Sequence, residues 1–133
     1  MTAQPNGILL IAKEEGPTSA DCLRVLKRAI GKKVKVGHAG TLDPMAEGLL
    51  VVLLGPSTRL AEVVMDGEKR YDAIFRFGIS TDTGDRDGKV VAERSLEGTT
   101  SETVDLLLPR FLGRIQQRPP QYAAVKISGK RAY

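Results

Sequence analysis

Glycines 37, 40 and 48 bracket the chain's only histidine, His38, and an Asp43-Pro44 corner, and the apolar run 49–54 follows at once. No other feature limits the fold so tightly. Consecutive apolar residues without alternation specify a strand in the interior of a sheet covered on both faces. The loop before that strand is therefore tethered to the core, and a carboxylate at position 43 has its geometry set by the fold. A nucleophilic carboxylate needs that support, and a solvated surface aspartate seldom has it.

At 133 residues the chain fits one domain and can bury a real core. A composition of 41% hydrophobic and 27% charged residues is that of a soluble globular protein. The run 49–54 is too short to span a bilayer, and residues 1–7 lack the charged start and apolar stretch of a signal peptide. One cysteine, Cys22, excludes an internal disulfide and suits a reducing cytoplasm, the expected location. One histidine and one cysteine are too few soft ligands for a zinc site, and no metal is expected.

Net charge is only +4, but its distribution is uneven. Segment 24–35 carries Arg24, Lys27, Arg28, Lys32, Lys33 and Lys35, and segment 106–133 carries Arg110, Arg114, Arg118, Lys126, Lys130 and Arg131. Neither contains an acid, so 12 of the 20 basic residues are segregated from all 16 acidic ones. Such segregation favours a polyanionic partner such as nucleic acid; the plainer alternative is a solvated helix face plus a basic tail.

Along the chain, 7–12 reads as a strand. Thr18-Ser19-Ala20-Asp21 has the form of a capping box opening a helix that Gly31 stops. Cys22, Leu23, Leu26, Ala29 and Ile30 share one helix face, with Arg24, Lys27 and Arg28 on the other. A short strand is expected at 33–36 and a short helix at 57–65. Alternation at 71–77, with Tyr71, Ala73, Phe75 and Phe77 on one side, predicts a further strand. The turn formers of 80–88 lead to a strand at 89–93. Ser101 is the expected cap of a helix that Pro109 kinks or shortens, and 122–127 reads as a last strand. Strands and helices interspersed with tight turns imply a mixed α/β or α+β layer fold.

Three residues stand out beside Asp43. His38 either contacts substrate or phosphate, or satisfies backbone groups in a tight loop. Tyr71 is either a core aromatic or a ring at a pocket mouth, able to stack on a base. Segment 83–88 is a hairpin connection rather than a calcium loop, because Arg94 stands where the closing glutamate belongs. The glycine loop lacks the Gly-Lys-Ser/Thr ending of a nucleotide P-loop.

Residues 37–55, followed by Ser57-Thr58-Arg59, resemble the signature of the TruB family of pseudouridine synthases. Segment 13–19, Lys-Glu-Glu-Gly-Pro-Thr-Ser, resembles that family's opening motif, with Ala12 and Glu14 departing from its usual Asp and Pro. Lys69-Arg70-Tyr71 is similar to the strand delivering the family's active-site tyrosine, and 81–88 to its following turn. Segments 119–126 and 129–133 are similar to the start of its RNA-gripping thumb loop. The wording of the motif looks more like the bacterial stand-alone branch than the dyskerin-like, guide-RNA branch.

The resemblance implies an α+β fold of the pseudouridine synthase kind, with a mixed, largely antiparallel central sheet and flanking helices, incomplete in this chain. Residues 1–133 would be the N-terminal portion of the catalytic domain, without the rest of that domain or the PUA module, and weakly active or inactive alone. The implied activity is isomerisation of uridine to pseudouridine in the T-loop of transfer RNA, with no cofactor and no obligate protein partner. By the same resemblance Asp43 is the catalytic carboxylate, and Tyr71, His38 and Lys13 serve the substrate, with Lys13 supporting the Asp43 loop. Arg24, Lys27, Arg28, Lys126, Lys130 and Arg131 would contact the RNA backbone. The competing reading is a non-catalytic RNA-binding module, or an inactive fragment of such an enzyme.

Overall fold

In the computed structural model, which describes residues 5–117 and the backbone of 126–127 and 130–131, the apolar run is the middle strand of a three-stranded antiparallel sheet. Strands β1 (Gly7–Lys13) and β2 (Val36–His38) flank β3 (Gly48–Leu54). Gly7 pairs with Leu54 and Lys13 with Gly48 on one side of β3; Val36 pairs with Leu54 and His38 with Val52 on the other. This register puts Leu9, Ile11, Lys13, Val36, His38, Leu50 and Val52 on one face. Leu50, Val52 and Leu53 are fully buried and form the centre of the core with Val34. Each such side chain contributes about 1.5–3 kcal/mol relative to exposure.

The expectation of cover on both faces holds only in part. On the face opposite Leu50, Leu53 is buried, and Thr58 lies against Gly37 next to it. On the same face Ile8, directly across from Leu53, and farther along it Leu10 and Leu49 are exposed. The second strand also differs, beginning at Val36 rather than residue 33. The Val34 N–H donates to the Gly31 carbonyl, so 31–34 is spent on a turn before pairing can start.

Helix α1 (Ser19–Ile30) opens with the capping box read from the sequence. Thr18 accepts from the Asp21 N–H at 3.1 Å, and the Asp21 carboxylate accepts from the Thr18 N–H at 3.0 Å. Gly31 closes the helix, its N–H donating to Lys27 O. After β3 the chain runs through a 3-10 turn, Gly55–Leu60, into α2 (Ala61–Met65). These elements belong to one compact unit, Met1–Tyr71.

The other unit, Asp72–Tyr133, holds a hairpin of β4 (Ile79–Thr81) and β5 (Val90–Glu93). Its connection is built on Asp85, which accepts from the Thr83 hydroxyl and from the N–H groups of Asp87 and Gly88. These bonds, the Thr83 hydroxyl foremost, hold the Asp85 carboxyl below its ordinary range. A Cβ at Gly88 would collide with Thr83 Oγ1 and the Asp82 carboxylate, so glycine suits the close of this loop. Helix α3 (Ser101–Asp105) is capped by Thr100, one residue before the expected Ser101. A 3-10 turn, Leu108–Phe111, carries Pro109 in its first turn, where its missing N–H is tolerated. Strands β6 (Lys126–Ile127) and β7 (Lys130–Arg131) pair antiparallel; residues 122–125 of the expected last strand lie outside the described residues.

Segment 71–77 forms no strand, which corrects the sequence expectation. Ile74 and Phe75 are exposed, and no described strand offers the backbone partners that alternation alone does not supply. The described strands therefore make three separate antiparallel sheets instead of one central sheet, in an α+β arrangement with three α-helices. Among the described residues no helix is long and apolar enough to cross a membrane.

Candidate active site

The Asp43 loop leaves β2 with one more sheet-like bond, Ala39 N–H to Val51 O at 2.9 Å, and re-enters the sheet at Gly48. Gly40 has φ +111°, a conformation that side chains disfavour, so the turn out of the sheet requires glycine there. His38 Nδ1 is 2.6 Å from Gly40 O. A carbonyl only accepts, so Nδ1 carries the proton, and a neutral ring leaves Nε2 as an acceptor. His38 therefore ends a strand and ties back its own turn, with one ring nitrogen still available.

Between Leu42 and Ala46 the backbone is held from below by the connection that joins β1 to α1. Lys13 is only 2% exposed, and its ammonium donates to Glu14 O at 3.0 Å, Pro44 O at 3.2 Å and Ala46 O at 2.6 Å. The Gly16 N–H donates to Pro44 O at 2.8 Å. Ser19, 3% exposed, places its hydroxyl 3.0 Å from both the N–H and the carbonyl of Leu42. The Ala46 N–H closes the corner on Asp43 O at 3.0 Å. Lysine is almost never buried without a charged partner; here carbonyl dipoles take that place.

The side chain of Asp43 is exposed above this clamped backbone, and among the described residues no hydrogen bond reaches its carboxylate. The fold thus fixes where the carboxylate is launched and leaves its oxygens open to a ligand. Tyr71 is 70% exposed in irregular chain after α2. No hydrogen bond among the described residues links it to the loop. Two hollows lie elsewhere, one between Ile11 and α1 and one beside α2.

On α1, Arg24 and Arg28 are exposed and Lys27 is half-buried; Arg24 pairs with Asp21, which neutralises part of the basic face. Lys126, Lys130 and Arg131 fall in β6 and β7, and their side chains lie outside the described residues. Ser19 and Gly16 were read from the sequence only as parts of a cap and of a motif. A second hydroxyl directly after the capping threonine was the signal that one of the pair had another task.

A family model described as TruB family pseudouridylate synthase (N terminal domain) matches residues 27–133. Among curated relatives, the tRNA pseudouridine synthase B of Acaryochloris marina is 45% identical over 127 residues, covering 96% of this chain and 43% of the relative. The protein of the same name from Bacillus pumilus is 43% identical, covering 96% of this chain and 41% of the relative. That from Nitrobacter winogradskyi is 47% identical, covering 96% and 35% respectively. The chain spans less than half the length of the curated relatives it matches.

Proposed function

The chain belongs to the TruB family of pseudouridylate synthases, and from that membership we propose that it carries the reacting carboxylate of an RNA pseudouridine synthase acting on the T-loop uridine of transfer RNA. Asp43 is the reacting group. The observation that carries the reading is the contrast at this residue: a backbone clamped by Lys13, Gly16 and Ser19, and a carboxylate left open.

The reaction is an isomerisation. The bond from C1′ to N1 of uracil breaks, a bond from C1′ to C5 forms, C5 gives up a proton and N1 takes one. Atoms and electrons balance without oxidant, reductant or donor. An ionised carboxylate assists by attacking C1′, by adding to the uracil ring, or by promoting elimination toward a glycal. All three routes demand a carboxylate held at the glycosidic bond, a demand that a clamped backbone answers.

The uridine must first leave its stack, at a cost of a few kcal/mol that contacts to the extruded base offset. Tyr71, with its ring exposed, would stack on that base and take part in the proton transfer at its edge. His38 Nε2 is available to accept a hydrogen bond from the rearranged loop. Arg28, Lys27 and the basic residues near 126–131 would supply salt-dependent backbone affinity. Because the chain spans under half of its relatives, turnover is assigned to the full-length protein.

The second reading, RNA binding without turnover, is favoured by the exposed position of Tyr71 and the open surroundings of Asp43. Paired binding and turnover assays on a T-arm stem-loop separate the two. The enzyme reading predicts that Asp43→Asn abolishes pseudouridine formation by the full-length protein while RNA affinity stays within about threefold. Equal turnover by the variant removes Asp43 from the reaction; a parent that binds and never turns over leaves the binding module.

A further inference from the structure

We propose that Ser19 is a positioning residue for Asp43, its buried hydroxyl locking the Leu42 peptide and thereby setting the direction in which the carboxylate is presented. The inference rests on the reading of Asp43 as the reacting group.

A serine at the start of a helix ordinarily spends its hydroxyl on the helix's own N–H groups. Here Thr18 already does so, accepting from the Asp21 N–H. The Ser19 hydroxyl is thereby spared, and it is turned 23 residues along the chain to Leu42. It accepts from the Leu42 N–H and donates to the Leu42 carbonyl, each at 3.0 Å. These two groups belong to the peptide units on either side of the Leu42 Cα. One hydroxyl therefore restrains both soft torsions of Leu42.

The consequence reaches Asp43 directly. The Leu42 carbonyl and the Asp43 N–H share one planar peptide, so fixing the carbonyl fixes the plane from which the Asp43 Cα departs. On the far side, Pro44 has its own φ set by the ring, and its carbonyl accepts from the Gly16 N–H and the Lys13 ammonium. Only the side-chain torsions of Asp43 remain free. At 3% exposure water cannot replace the hydroxyl, so its loss leaves both Leu42 groups without that partner.

The test measures two things on Ser19→Ala in the full-length protein: amide hydrogen exchange at Leu42, and single-turnover pseudouridine formation alongside RNA affinity. A positioning role predicts faster exchange at Leu42 with α1 amides unchanged, a single-turnover rate down about 10- to 100-fold, and an unchanged dissociation constant. The same substitution in an Asp43→Asn background should add no further loss. Retained Leu42 protection, or a rate per folded molecule within about twofold of the parent, overturns the proposal. If Ser19→Ala does not fold, Ser19→Cys, similar in size but a weaker hydrogen-bonding group, carries the same test. Turnover by Asp43→Asn equal to the parent's defeats the reading of Asp43 and the positioning role with it. An inert Asp43→Asn beside an unimpaired Ser19→Ala defeats the positioning role alone.

Discussion

The ammonium of Lys13 lies 2.6 Å from the carbonyl oxygen of Ala46, 33 residues away, and among the described residues no acid shares the contact. It also donates to Pro44 O, so one buried cation holds two of the carbonyls that follow Asp43 in the corner. Strand β1 ends at this lysine, and the loop is thus fastened to the sheet as well as, through Gly16, to the connection that follows it.

Lys13→Met keeps the stem's length and removes the donors. It leaves the Ala46 carbonyl and one lone pair of Pro44 unpaired, and stability should fall by about 1–3 kcal/mol. Urea unfolding followed by circular dichroism measures this. A variant within about 0.5 kcal/mol of the parent would mean that the carbonyls find water and that the clamp contributes little.

Leu53 is fully buried near the C-terminal end of β3, on the face where Ile8, Leu10 and Leu49 are exposed. Leu53→Ala should cost about 2–5 kcal/mol, as for other buried leucines. Leu10→Ala, at a position 62% exposed on the same face, should cost far less. Equal losses in the two melts would contradict the burial described for this sheet.

The capping box gives a pH dependence with a definite sign. Asp21 is held below its ordinary value of 3.8 by the Thr18 hydroxyl above all, then by the Thr18 N–H, with Arg24 adding to the effect. Folding therefore favours the ionised form. The contribution is complete above 3.8 and disappears as pH falls through the lower folded-state value. As pH falls below 3.8 the first turn of α1 should fray progressively in the parent, and Asp21→Asn should lack that transition. Superimposable acid titrations of parent and variant would contradict this, as would a Thr18→Ala cost well below the usual ~1 kcal/mol.

Ile8 and Leu10 point outward from β1, which is an edge strand of its sheet. Exposed apolar residues on an unpaired edge invite association. The 133-residue chain should self-associate at tens of micromolar in static light scattering, and Leu10→Lys should lower the apparent mass without changing the far-ultraviolet spectrum. A parent that scatters as a monomer throughout would contradict it.

Local chemistry was the legible part of this fold. Thr18, Asp21 and Gly31 mark α1 because caps act within one turn, and the run 49–54 marks an interior strand because nothing polar interrupts it. The strand expected at 71–77 failed because alternation describes a strand's faces and not its partner. Around Asp43 the glycines and Asp-Pro corner announce a tight loop, but its clamp comes from Lys13, Gly16 and Ser19, more than 20 residues upstream. No spacing rule predicts a buried lysine that ends in carbonyls; Lys13 was expected to support this loop from the family resemblance alone. The Ser19 hydroxyl was hidden by the adjacent cap, which seemed to account for both residues.

The central claim is that the fold, and not the side chain's own freedom, decides where the Asp43 carboxylate lies. Asp43→Glu tests it most directly, because it keeps the charge and lengthens the side chain by one methylene on a backbone that cannot retreat. Single-turnover pseudouridine formation by the full-length protein should fall by about 100-fold or more, toward the level of Asp43→Asn. A glutamate variant within about tenfold of the parent would show that the carboxylate finds its own position and that the clamp does not set it.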